Sequence, residues 1–471
     1  MAIFFKNFKK FFQGSQTAQV LFFVNVFVSA VLFYLFKDQY GGDSATYLGL
    51  ADGILHGEYS YWYFLNESYP DTFRNPGYPL FLAAIRFFTS SVLVIQIIQW
   101  LLYLFSIRLV LVLLEKLVGR VEVKNIFLLV LLPSLYITMY VTMIFPEILV
   151  TCLILLSLVV DLKQRNSVWK FVFLGVLYGF IFQIRPAFLF VPFIFFVAKW
   201  FLQRRSFMWW KQSVVLIAFV LSMLPYGYWN QRHHGVFKVT SIEGGGGVFH
   251  LGYWSFKLPD YYVTHYWNNY CAEEMLPMIA MSEKENNVKL FNEEWIAIEN
   301  QLSPLLNAKD SAILFQHQSY PGLFPTLNSE YTLCREELLK SATIEHIKSD
   351  FPFYLKAKLY GACRLWVTGI PMKEFRSAGF MKKLILLYPF LITVSTFLVA
   401  LILIPWSFRK YKKEMIVFTP ILLLMLYFGS IHLPFTIQSR YTIPVRMELL
   451  MCVSMGLYLL VFKRRTIESA S

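Results

Sequence analysis

The chain reads as a polytopic α-helical membrane protein with about ten transmembrane helices, surface helices in its first outer loop and a small α/β outer insertion. Three observations carry that reading. Of 471 residues, 57% are hydrophobic and only 15% are charged, too few charges for a soluble domain of this size. Apolar runs of roughly 17–25 residues recur, each long enough to cross a hydrocarbon core of about 30 Å. Lys and Arg collect in alternate connecting segments, which is how helical membrane proteins are oriented.

Taken in order, spans are expected near 18–37, 91–114, 125–142, 144–162, 168–184, 186–203, 212–230, 384–406, 415–433 and 441–462. The first run is too long for the apolar core of a signal peptide and no small-residue cleavage site follows it, so it reads as a retained anchor. Lys6, Lys9 and Lys10 precede it. Lys116, Arg120 and Lys124 follow the second span, and Lys163, Arg165 and Lys170 follow the fourth. Lys199, Arg204, Arg205 and Lys211 follow the sixth; Arg409, Lys410, Lys412 and Lys413 follow the eighth; Lys463, Arg464 and Arg465 follow the tenth. All of these fall on one side, which places both termini in the cytoplasm and residues 38–90 and 231–383 outside it. The net charge of +14 is thus a topology signal and calls for no nucleic-acid partner. The organisation is an N-terminal membrane module (1–230) carrying the first outer loop, an extracytoplasmic insertion (231–383) and C-terminal membrane helices (384–471).

The first outer loop, DQYGGDSATYLGLADGILHGEYSYWYFLNESYPDTFRNPGYPLFLAAIRFF, leaves the membrane still tethered to its surface. Tyr47, Leu50, Ala51 and Ile54 fall on one stripe of a short interfacial helix. Asp43 or Ser44 can cap it, and Gly57 sits where a C-terminal glycine belongs. A second helix is expected to start at Asn75-Pro76, with Asn as cap and Pro at the first helical position. Arg74 lies between the two. Asp38 and Asp52 read as solvated.

The insertion opens with Gln231-Arg232-His233-His234-Gly235 and two β-like runs, VFKVTSI and GVFHLGYW, flanking Gly244 to Gly247. These glycines lack the spacing and the following helix of a phosphate cradle and read as a flexible loop. A charged helix, REELLKSATIEHIKS, follows. Leu355, Leu359, Ala362 and Trp366 then mark a helix returning along the membrane surface. Of five cysteines, Cys152 and Cys452 lie in spans as packing residues. Cys271, Cys334 and Cys363 face the oxidising side, where one disulfide with one thiol left over is open to them. His233, His234 and His250 could hold a divalent metal with Glu243, or be polar surface. No cofactor is required by the pattern. The sequon at Asn66 carries no weight here.

Charged residues at span ends carry the chemistry. Arg74, Arg185 and Arg440 all lie at the outer side, where a planar guanidinium can grip two phosphate oxygens. The alternative is snorkelling to the interface, but snorkelling residues gather on the inner side of this chain. Glu147 opens the fourth span behind Pro146. An ionisable group there is costly unless functional, although a carboxylate also suits a helix N-terminus. His432 lies near Arg440 in sequence.

GGDSATYLGLADGIL, TFRNPGYPLFLA, IFPEILV, QIRPAFLFVP and HLPFTIQSRYTIPV, in that order and at those membrane depths, resemble the GT-C superfamily of integral-membrane glycosyltransferases. The resemblance is to the bacterial branch related to protein O-mannosyltransferases and the lipid A aminoarabinose transferase. It covers residues 18–230 and the last two spans; NQRHHGVFKVTSIEGGGG and HIKSDFPFYL match loosely. The resemblance implies a GT-C-like fold and transfer of a sugar, with inversion, from a polyprenyl-phosphate donor to an extracytoplasmic lipid, glycan or protein. It implies Asp43 as the base on the acceptor hydroxyl, with Glu147 facing it, and Arg74, Arg185, Arg440, Tyr441, Tyr47 and His432 around the donor phosphate and sugar. Many relatives carry Asp-Glu where this chain has Asp43-Ser44. The expected location is the inner (plasma) membrane, with the site on the outer side. Two other classes remain to be weighed: a lipid-linked oligosaccharide polymerase or ligase, which lacks an acidic first loop joined to Arg-x-Pro-Gly-Tyr-Pro, and a lipid or sugar transporter, for which related halves are expected and not found.

Overall fold

Each expected apolar run is helical, but they differ in length because prolines and buried polar groups interrupt them. The computed structural model of the chain describes residues 15–38, 43–65, 69–163, 167–202, 204, 207–259, 262–263, 268–269, 278–306, 328–370 and 372–463. Lys6, Lys9, Lys10, Asn66, Arg165, Arg205, Cys271, Arg464 and Arg465 lie outside those residues.

Helix α1 (Gln16–Phe36) starts at Ser15, whose hydroxyl accepts the Ala18 N–H at 3.2 Å. The surface helices are α2 (Asp43–Leu55) and α3 (Gly77–Arg86). Gly57, with φ of 87°, follows α2 as expected. Then come α4 (Val92–Leu117), α5 (Val121–Leu131), α6 (Leu135–Thr142), α7 (Glu147–Asp161) and α8 (Val168–Ile184). A 3-10 turn (Pro186–Phe188) leads into α9 (Val191–Leu202) and α10 (Trp209–His234). The insertion at 231–383 holds α11 (Gly246–Trp254), a two-residue ladder pairing β1 (Tyr262–Val263) with β2 (Asn268–Asn269), and then α12 (Met281–Leu302), α13 (Ser329–Ser349), α14 (Phe351–Arg364) and α15 (Met372–Ser377). Helices α16 (Phe380–Lys410), α17 (Lys412–Met415) and α18 (Thr419–Ile431) return to the apolar bundle. A 3-10 segment (Ser439–Val445) and α19 (Arg446–Tyr458) close it.

Among the described residues, six helical segments are long and apolar enough to cross a membrane: α1, α4, α10, α16, Lys412–Ile431 and Ser439–Phe462. Counting α5 and α6 as one broken span makes seven. The expected count of ten is not reached. The chain bends by 66° between α5 and α6, where Pro133 interrupts the hydrogen-bond ladder. Helix α7, at 15 residues, rises only about 22 Å; α8 has 17 residues and α9 has 12.

The carbonyls freed where α6 ends need donors, since lipid offers none. Gln99 on α4 supplies them to Val141 O (2.9 Å) and Met143 O (2.7 Å), and Gln96 to Thr142 O (2.7 Å). Helices α8 and α10 pack at close range through Gly175 and Gly179, four residues apart, where a Cβ would strike Val215 O and the Ser222 hydroxyl.

Among the described residues the insertion is helical apart from the short ladder, where an α/β mixture was expected. GVFHLGYW, expected as a strand, lies in α11, and VFKVTSI is irregular. The glycines do lead into a helix, contrary to expectation. Its first N–H groups are met by this chain: Glu336 Oε2 accepts from Gly246 N (2.6 Å) and Gly247 N (3.3 Å). Tyr253, Trp254, Phe291, Trp295 and Leu339 form the insertion's own core. In α14, Phe351, Leu355 and Leu359 point away from the protein while Lys358 is buried, its Nζ donating to Gly252 O at 2.9 Å. An outward apolar row suits a helix on a membrane surface.

Candidate active site

The site lies where α2, the 71–76 loop, the N-terminus of α7, the C-terminus of α8 and the 3-10 segment before α19 converge. Asp43 is the first residue of α2. Its two oxygens are taken by guanidinium groups: Oδ1 accepts from Arg74 Nη2 at 2.8 Å and Oδ2 from Arg440 Nη2 at 3.0 Å. Glu147, the first residue of α7, accepts from Arg185 Nη2 at 2.6 Å through Oε1. Its Oε2 is buried without a hydrogen-bond partner among the described residues.

Tyr441 joins the two ion-pair groups. Arg185 and Arg440 lie 5.4 and 5.6 Å from its ring centre, and His432 stacks on it at 5.1 Å. Arg74 lies 4.9 Å from the Tyr47 ring, on the buried side of α2. Asp43, Tyr47, Arg74, Glu147, Arg185, His432, Arg440 and Tyr441, all eight of the residues expected at a site, therefore form one connected cluster. Three guanidinium groups against two carboxylates leave one positive charge in excess. The Asp43 side chain keeps 30% of its surface exposed and Glu147 only 1%, so Asp43 is the more accessible of the two carboxylates.

Burial pushes the Asp43 carboxyl up, but Arg74 and Arg440 outweigh it and hold the group well below the usual carboxylate range. In this arrangement Asp43 is a weak base. A group that draws the guanidinium groups away makes it a stronger one.

The loop that presents Arg74 is clamped on both sides of that residue, at its N–H and at its carbonyl. Asp71 Oδ2 accepts from Phe73 N (3.1 Å) and Arg74 N (2.8 Å), while Arg74 O accepts from Tyr59 (2.8 Å) and Tyr226 (3.2 Å). Asn75 caps no helix, contrary to expectation, and α3 begins at Gly77. Its amide instead donates to Gln183 Oε1 at 3.0 Å and its carbonyl accepts from Ser241 N at 2.8 Å. Sequence reasoning missed Asp71, although an Asp bonding the backbone N–H two residues on, here that of Phe73, makes an Asx turn and is a local signal. Asp52 is not free in solvent: Arg86 grips it at 2.6 and 2.9 Å.

The proposed metal set does not assemble. His250 contacts Thr343 and Glu294, His234 contacts Ser329 and Asp71 O, His233 packs on Trp229, and Glu243 pairs with Arg335. No group of three or more His, Cys, Asp or Glu among the described residues is placed to hold a metal. Cys334 and Cys363 are free and exposed.

Burial, with the like charge of Glu243, pushes Asp71 up to about 7. Since the folded value lies above the group's ordinary value of 3.8, the folded state binds more protons between about pH 4 and 7, and stability falls as pH rises through that window. Asp71→Asn, which carries no charge, is therefore expected to raise the melting temperature at pH 8 and to lose that gain by pH 5. Thermal unfolding in detergent across this range checks it; a gain that is constant with pH contradicts it.

Comparison with known proteins gives one likeness. The chain is similar to the crystal structure of ArnT from Cupriavidus metallidurans bound to undecaprenyl phosphate, at 13% identity over 95% of this chain and 79% of that one, with a TM-score of 0.39. No protein-family model and no curated protein matches the chain.

Proposed function

We propose that the chain is a membrane glycosyltransferase that moves a sugar from a polyprenyl-phosphate donor to an acceptor hydroxyl on the outer face of the plasma membrane. The observation that carries this reading is the Arg74–Asp43–Arg440 cluster beside Arg185–Glu147, at the mouth of an apolar bundle. A lipid-linked phosphate needs guanidinium groups for its headgroup and apolar surface for its chain; the cluster supplies the guanidinium groups and the adjoining helices the apolar surface.

The chemistry balances in charge. A polyprenyl-phosphate sugar is a phosphodiester with one negative charge, matching the single positive excess of the cluster. Its phosphate competes with Asp43 for Arg74 and Arg440, so donor binding releases the carboxylate and raises its basicity. Asp43 then takes the acceptor's proton as the acceptor oxygen attacks the anomeric carbon from the face opposite the phosphate. The anomeric C–O bond breaks and its electron pair goes to the phosphate, which becomes a dianion. The loss of the Asp43 charge and the gain on phosphate cancel. Glu147 holds Arg185 in place.

The reading is tested by incubating the protein in lipid nanodiscs with a panel of polyprenyl-phosphate sugars and extracted envelope acceptors, without any ion gradient. Release of polyprenyl phosphate with inverted glycoside is expected. No release from any donor, or sugar movement that requires a gradient, overturns it.

Orientation is tested separately. In a background with Cys271, Cys334 and Cys363 replaced by Ser, His56→Cys and Ser282→Cys, both at exposed positions, are expected to react with an impermeant maleimide from outside the cell. Arg120→Cys, also exposed, is expected to react only after the membrane is opened. The reverse pattern places the cluster on the wrong side for this reading.

A further inference from the structure

We propose that Asp71 is the positioning residue for Arg74, fixing the angle at which that guanidinium meets the donor's phosphate; this rests on the reading of the cluster given above. The argument starts from the geometry of the loop. Arg74 follows no regular element, so nothing in a helix or strand ladder fixes its backbone. Its N–H and that of Phe73 both point at one oxygen of Asp71, at 2.8 and 3.1 Å, and its carbonyl is held from the other side by Tyr59 and Tyr226. Hydrogen bonds to a carboxylate are about twice as strong as neutral ones, so Asp71 is the strongest of these constraints.

The guanidinium then lies over the rings of Phe73 and Tyr47, at 4.1 and 4.9 Å, with Asp43 as its ion partner. A rotation of the 73–74 peptide would move it off both rings. Asp71 itself touches neither Asp43 nor the phosphate's expected place, so its effect must pass through Arg74.

The loop is also gripped by the insertion. Glu243 N donates to Thr72 O at 2.8 Å, Thr72 Oγ1 reaches Glu243 Oε2 at 3.4 Å, and Arg335 pairs with Glu243 Oε1 at 2.7 Å. The groups that face Asp71 are thus Arg74 on its own loop, Glu243 with Arg335 from the insertion, Tyr59 and Tyr226, and His234, whose Nε2 lies 3.3 Å from Asp71 O. Burial and Glu243 bring the Asp71 carboxyl near neutrality. A carboxylate grips the two N–H groups more firmly than a carboxylic acid does, so the position of Arg74 tightens as Asp71 ionises.

The test reads binding rather than turnover. The probe is undecaprenyl methyl phosphate, a phosphodiester without the second ionisation near pH 6 of a phosphate monoester, so the ligand's own charge stays constant. Affinity of the full chain in nanodiscs is expected to rise as pH increases through about 7. Asp71→Ala is expected to weaken binding about tenfold at pH 8, the loss of a hydrogen bond to a charged group, and to add nothing further to Arg74→Ala. Asp71→Asn keeps an acceptor oxygen without the charge; it should fold, bind and show a flat pH profile. If Asp71→Ala binds like the parent, or its effect adds fully to that of Arg74→Ala, the positioning role is wrong. Should Asp71→Ala fail to fold, a parent-like pH profile in Asp71→Asn overturns the proposal equally. If Arg74→Ala itself binds the probe unchanged, the fault lies instead with Arg74 as a phosphate ligand.

Discussion

Asp43→Asn is expected to leave a folded, membrane-inserted protein that binds its lipid donor and transfers almost no sugar. The loss should be about 10²–10⁴-fold in rate, the usual cost of removing a general base. Donor affinity should not fall. The carboxylate occupies Arg74 and Arg440 in the free protein, and an amide competes with phosphate for those groups far less well, so binding should match or exceed the parent's. This split separates two roles for Asp43. A helix-capping residue would tolerate Asn, which caps about as well as Asp, and transfer would then be unchanged. Asp38→Asn, at an exposed position, is the control. Transfer rate, donor binding and melting temperature should be measured on the same preparations. Full activity in Asp43→Asn removes the residue from the mechanism.

Arg440→Ala should cripple donor use by about 10–100-fold in kcat/KM, the range for a charge-assisted contact. Arg440 is the meeting point of the cluster: it pairs with Asp43, and its guanidinium lies 5.2 Å from the Phe145 ring centre and 5.6 Å from that of Tyr441. Arg440→Lys should restore part of the loss, because Lys keeps the charge but lacks the planar fork. A residue that only snorkels would be replaced by Lys without cost. Arg86→Ala is the matching control, since that guanidinium is committed to Asp52 outside the cluster and should affect stability rather than donor use. Equal kcat/KM in the parent and both Arg440 variants would show that phosphate is held elsewhere.

The insertion shows where local pattern misleads. GVFHLGYW has the aromatic and β-branched content of a strand, yet no partner strand is placed beside it among the described residues. Glu336, about ninety residues away in sequence, accepts from the N–H groups of Gly246 and Gly247, and His250 lies buried beside Phe291 of α12. A helix start is stabilised by an anion at its N–H groups, and that anion comes from a distant segment. Hydropathy reports which residues avoid water but not where a helix breaks: the expected span at 125–142 is bent by 66° beside Pro133, with Gln96 and Gln99 meeting the carbonyls at its end. The lower count of long apolar helices comes instead from α7, α8 and α9, which have 15, 17 and 12 residues.

The class of the protein, the positions of its apolar helices and the identity of the charged residues at their ends were determined by the sequence alone. A bilayer makes those features one-dimensional: backbone groups in lipid must be satisfied within each segment, and an ionisable group near hydrocarbon stands out wherever it occurs. Tertiary structure decided which of these charges meet. Asp43 pairs with Arg74 across 31 positions and with Arg440 across 397, and Glu147 with Arg185 across 38. No periodicity spans such separations, because they are set by how the helices pack. The same holds for Asp71. Its turn to Arg74 is local and readable, but its burial, its carboxyl near neutrality and its link to the insertion come from Glu243, Tyr226 and Arg335, which packing alone brings to that loop.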